Sequence, residues 1–147
     1  KLCRDHDPKL YAMPPTQHPC ILAIDDTPIN LLLIQKLIEK IYPSAIVLNS
    51  KNGDDAVLKF KENKIDLIFL DIQLPTIDGF ETARQIRACE VDGNRTPIIG
   101  LSGYEKEQFF KNGGSKNIDD SLRKPIKMKS LERIVNKFLA GDIKQSC

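Results

Sequence analysis

Three aspartates, a serine and a lysine stand at the ends of short apolar runs in this chain. CILAI leads into Asp25 and Asp26, IDLIFL into Asp71, TPIIGL into Ser102, and the weaker SLR into Lys124 and Pro125. Three carboxylates, a hydroxyl and an ammonium gathered at one place would hold a divalent cation, a nucleophile and stabilisers of developing negative charge. Those are the requirements of phosphoryl transfer, which is mostly positioning plus electrostatics.

An open parallel sheet brings such residues together, because its ligands bind in the crevice outside the carboxyl ends of the strands. Strand signals fall at 20–25, 45–49, 66–70, 97–101 and 118–122. The third is the clearest: Leu67-Ile68-Phe69-Leu70 is apolar on both faces, as a covered parallel strand requires. Helical patterns alternate with the strands. Residues 28–41 place Ile29, Leu32, Leu33, Leu37 and Ile41 on one stripe, with Pro28 suited to the first turn. Residues 53–62 carry Ala56, Val57 and Phe60. The pattern over 79–90 has Phe80, Ala83 and Ile86 inward, with Arg84 and Arg87 on the wet side. A weak fourth helix spans 105–111, before Gly113-Gly114, and a fifth spans 127–139 on Leu131, Ile134, Val135 and Phe138. Five strands alternating with five helices predict a doubly wound α/β domain with right-handed crossovers.

The expected domain covers 20–140. Residues 1–19, with Pro8, Pro14, Pro15 and Pro19, read as a linker or disordered lead-in, and 141–147 (GDIKQSC) as a short polar tail. Lys1 stands where a complete chain would begin with Met, which suits a fragment of a longer protein.

Composition sets bounds. The 147 residues are 41% hydrophobic and 29% charged, which fits one globular domain. A net charge of +2 gives no general electrostatic case for nucleic acid. No apolar stretch approaches the roughly 20 residues that span a bilayer, and no secretion signal is visible. Cys3, Cys20, Cys89 and Cys147 lack CxxC spacing, so neither a disulfide framework nor a zinc site is expected, and a reducing cytoplasmic setting fits. Asn94-Arg95-Thr96 reads as loop.

Each site residue has a plainer reading. One of Asp25 and Asp26 would cap the helix at Pro28, yet two adjacent carboxylates repel unless a cation lies between them. Oxygen-only ligation with few protein donors suits Mg²⁺. Asp71 is a solvated loop residue or a carboxylate that costs free energy unless paired or metal-bound. Ser102 either satisfies a turn or donates to an anion. Lys124 is a solvated surface charge or an ammonium facing the carboxylates; its bond to Pro125 is a candidate cis peptide. Asp78 reads as the cap of the helix at Gly79.

Taken together, Asp25-Asp26, Asp71 followed by IQLPTIDGFE, Ser102 and Lys124-Pro125 resemble the receiver domain of two-component response regulators over about 20–140. The runs DDTPIN and LDIQLPTIDGFETARQIR look more like receivers fused to hybrid sensor histidine kinases. The resemblance implies a flavodoxin-like sheet in the order 2-1-3-4-5. It makes Asp71 the phospho-acceptor, taking the group from a histidine kinase or histidine phosphotransfer protein. It assigns Mg²⁺ to Asp26, Asp71 and the backbone carbonyl of Gln73, with Asp25 acting through water. Lys124 would pair with the acceptor and then with the phosphoryl group, and Ser102 would move toward that group. The domain itself would be a self-phosphorylating acceptor rather than a turnover enzyme, as a monomer or weak dimer, in the cytoplasm or in the cytoplasmic part of a membrane-bound kinase.

One position departs from the pattern. Receivers commonly carry an aromatic residue three positions before the lysine; here it is Ser121, so that half of the switch is missing or is supplied by Tyr104. Two rival classes stand beside this reading. A haloacid-dehalogenase-type phosphatase needs a second Asp two residues after the nucleophile, where this chain has Gln73. A degenerate receiver would serve only to bind protein, and a stand-alone regulator differs only in having no attached kinase.

Overall fold

The computed structural model describes residues 18–74, 78–91, 93–103 and 116–140. Its elements are β1 (Cys20–Ile24), α1 (Pro28–Ile41), β2 (Ile46–Ser50), α2 (Gly53–Glu62), β3 (Leu67–Asp71), α3 (Gly79–Cys89), β4 (Ile98–Ser102), β5 (Asp120–Arg123) and α4 (Met128–Val135). A π-helical turn, Asn136–Ala140, continues α4. The five strands form one parallel sheet in the order β2-β1-β3-β4-β5. Helices over 28–41, 53–62 and 79–90 form within a residue of the expected limits. The helix expected over 105–111 and Tyr104 lie outside the described residues, as do 1–17 and 141–147.

Strand alternation divides the core into two layers. Ile21, Ala23, Leu67, Phe69, Ile99, Leu101 and Leu122 face α1 and α4. Leu22, Ile24, Ile68, Leu70 and Ile98 face α2 and α3. Every residue of β3 and β4 is buried, so the sheet's centre is covered on both sides. Caps fix where helices begin. Asn52 accepts from the Asp55 N–H at 2.8 Å, and Asp78 accepts from the Glu81 N–H at 2.8 Å; such caps contribute about 1 kcal/mol each. The second is the cap expected of Asp78.

Two expectations are corrected. The core stripe of α1 is Leu31, Ile34 and Ile38, with Leu37 and Ile41 at its edge, while Ile29, Leu32 and Leu33 are exposed. PINLLLIQKLIEKI is apolar around most of its circumference, so periodicity alone admits two overlapping stripes and the sheet selects one. Arg87 is not on the wet side of α3. Its side chain is 10% exposed, and the guanidinium bonds Asp119 at 2.8 Å, Glu90, and the carbonyls of Thr96 and Asn117. This ties α3 to the segments entering β4 and β5. Arg84, by contrast, is 63% exposed.

Candidate acceptor and metal site

Sheet register puts the site residues at one rim. Ile24 pairs with Leu70, so Asp25 and Asp71 stand side by side at the ends of β1 and β3. Asp71 pairs with Leu101, which places Ser102 one residue beyond it on β4. Ser102 pairs with Arg123, and the Lys124 N–H donates to the Ser102 carbonyl at 2.7 Å. The Lys124-Pro125 bond is cis.

Asp25 is fully buried. Its Oδ1 accepts from the Thr27 N–H at 2.9 Å, and its Oδ2 accepts from Asn30 Nδ2 at 3.2 Å. Asp71 is 3% exposed; its Oδ1 accepts from the Gln73 N–H at 3.0 Å and lies 3.1 Å from Lys124 Nζ. The same ammonium is 3.6 Å from Asp25 Oδ2. Asp26 is exposed. Neither aspartate caps α1, whose N-cap is Thr27 with no side-chain cap bond. One oxygen from each of Asp25, Asp26 and Asp71 lies within 4.8 Å of the others.

Three carboxylates facing one ammonium leave excess negative charge in a partly desolvated place. A hard divalent cation relieves it, and an all-oxygen donor set with one member open to water fits such an ion. Burial pushes the Asp71 carboxyl above its ordinary range. The Asp25 charge adds to that shift, while the Gln73 N–H and Lys124 oppose it.

The turn after β3 is drawn tight. The Gly79 N–H donates to the Ile72 carbonyl at 2.8 Å. A Cβ on Gly79 would stand 2.5 Å from Ile72 Cα and 2.6 Å from the Asp71 carbonyl oxygen. Only glycine permits this approach, so α3 begins directly against the backbone of Asp71.

The structure therefore brings Asp25, Asp26, Asp71 and Lys124 together, with the Gln73 backbone beside the Asp71 carboxylate. Ser102 is 6% exposed and one rung away. Asn30 joins the site without belonging to the strand-end pattern. Its signal lies in its place in the first turn of α1, five residues after Asp25, where a short amide can turn back onto a strand end. Beside it a cavity of about 250 Å³ is lined by Asp25, Asn30, Leu33, Lys124, Pro125 and Ile126.

Residues 21–136 match the family described as response regulator receiver domain. The chain belongs to that family. This receiver is 35% identical over 126 residues to sensor protein GacS of Pseudomonas syringae pv. syringae, spanning 82% of this chain and 13% of GacS. It is 29% identical over 121 residues to protein PilH of Pseudomonas aeruginosa, spanning 82% of this chain and 98% of PilH. Among solved structures, it is similar to the receiver domain of sensor histidine kinase PA1611 from Pseudomonas aeruginosa PAO1, with 29% identity and a TM-score of 0.73. That match covers 84% of this chain and 98% of the PA1611 domain, which holds a magnesium ion in its active-site cleft.

Proposed function

We propose that Asp71 of this receiver takes a phosphoryl group from a phosphohistidine on a partner protein. The observation that carries the reading is the Lys124 ammonium 3.1 Å from a buried Asp71 carboxylate, within a cluster of three acids that bring one oxygen each within 4.8 Å of the others. In the transfer, the P–N bond of the donor breaks and an O–P bond to Asp71 forms. The imidazole nitrogen keeps the bonding pair and takes up a proton.

Asp26, Asp71 and the Gln73 carbonyl would hold Mg²⁺, with Asp25 acting through water; the bound ion would neutralise charge on the phosphoryl oxygens. Lys124 balances the acceptor charge before transfer and the phosphoryl charge after it. Ser102 donates to the new phosphoryl oxygens. Because Ser121 replaces the usual aromatic, the readout rests on Ser102 and the backbone it shares with Lys124.

The partner is a histidine kinase or histidine phosphotransfer protein. It docks on the exposed apolar end of α1, where Leu33 lines the same cavity as Asp25 and Lys124. Residues 20–140 act as the receiver, 1–19 as a linker and 141–147 as a tail, within the cytoplasmic part of a hybrid histidine kinase. The 13% share of GacS favours that setting. PilH, matched over 98% of its length, favours the second reading, a stand-alone regulator. No described helix is long and apolar enough to cross a membrane.

Intact mass after incubation with acetyl phosphate tests the reading. One phosphate should be gained with Mg²⁺ and none with a chelator. No gain under conditions that label a known receiver would leave a protein-binding module instead.

A further inference from the structure

We infer that Asn30 is a positioning residue that directs the Lys124 ammonium toward Asp71 by satisfying Asp25. The inference rests on the acceptor reading of Asp71 and adds a residue to it.

Lys124 Nζ lies between two carboxylates that differ little in burial. It is closer to Asp71, at 3.1 Å, than to Asp25, at 3.6 Å. The two acids differ in their neutral donors. Among the described residues, Asp71 receives one, the Gln73 N–H. Asp25 receives two, the Thr27 N–H on Oδ1 and Asn30 Nδ2 on the oxygen that faces Lys124. A buried anion already holding two neutral donors needs the ammonium less, because each hydrogen bond removes part of its desolvation penalty. The amide is suited to this task. It carries no charge, so it neither replaces Lys124 nor cancels the negative charge that a cation requires.

Removing Asn30 leaves each aspartate with one neutral donor among the described residues, and leaves Asp25 Oδ2 buried with a lone pair open toward Lys124. The ammonium then shifts to Asp25 and the acceptor loses its counter-charge. The main chain of Asn30 is not involved: its N–H bonds the Thr27 carbonyl at 3.0 Å, a contact that side-chain substitution leaves in place.

The test pairs geometry with kinetics. Crystal structures of Asn30→Ala and of the nearly isosteric Asn30→Leu should place Lys124 Nζ within hydrogen-bond distance of Asp25 Oδ2 and beyond it from Asp71. Labelling by acetyl phosphate at saturating Mg²⁺ should slow about tenfold, the effect of one lost buried hydrogen bond. In a Lys124→Ala background the same substitutions should change the rate by less than about twofold, because their effect runs through the ammonium. An unmoved Nζ, or the same slowing in both backgrounds, would overturn the inference. If wild type itself takes up no phosphate, the acceptor reading fails. The position of Nζ in the variants still decides what Asn30 does.

Discussion

The Lys124 ammonium reaches Asp71 Oδ1 at 3.1 Å across the full width of β4, the strand between their own. Lys124→Ala removes the only ammonium that the described residues place on this cluster. Labelling by acetyl phosphate should fall by at least about a hundredfold, the scale of losing one preorganised electrostatic contact. Mg²⁺ binding, followed by calorimetry, should persist because no oxygen donor is lost.

Asp71 in the metal-free protein should cost stability at neutral pH. Its carboxyl is raised above the ordinary range, chiefly by burial. The neutral form therefore suits the fold better than the charged one. That contribution is fully present below the unfolded pKa of about 3.9 and is lost as pH rises through the raised folded value. In chelator at pH 7, Asp71→Asn should melt a few degrees above wild type, the shift that about 1 kcal/mol gives a domain of this size. The gap should close at acid pH. Thermal melts of both proteins across pH check this, and a gap independent of pH would contradict it.

Gly79→Ala tests the turn behind Asp71. The added methyl meets backbone atoms of Ile72 and Asp71, not a side chain that can swing away. Overpacking of this kind costs about 1–3 kcal/mol, so the urea midpoint should fall. Labelling should slow as well, because Ile72 and Asp71 are the groups displaced.

The sequence made most of the rim legible because strand-end positions depend on local pattern. Leu67-Ile68-Phe69-Leu70 reads as a covered strand before any contact is known, so Asp71 falls at its end. Asp78 reads as a cap from its neighbours alone. What stayed hidden depends on tertiary choice. The stripe of α1 is selected by the sheet from a helix apolar on most sides. Arg87 looks like a surface cation until Asp119 and the Asn117 carbonyl arrive from the segment entering β5. Asn30 is one polar residue among several until the end of β1 turns Asp25 toward it.

Leu33→Ser separates donor docking from chemistry. Leu33 is 39% exposed and lines the cavity beside Lys124. Loss of the apolar side chain there should cut transfer from a histidine-phosphorylated protein by about tenfold or more, as loss of an interface anchor does. Labelling by acetyl phosphate should change by less than about twofold, since no group on Asp71 is touched. Equal losses with both donors would place Leu33 in the chemistry instead of the docking.

The most direct test is to locate the phosphate itself. Phosphorylated wild-type protein should be trapped by borohydride reduction, which converts an aspartyl phosphate to homoserine, and the peptides weighed. Homoserine at position 71, and none at 25 or 26, is the predicted result, with no trapping in Asp71→Asn. Homoserine at 25 or 26, or full labelling of Asp71→Asn, would contradict the account.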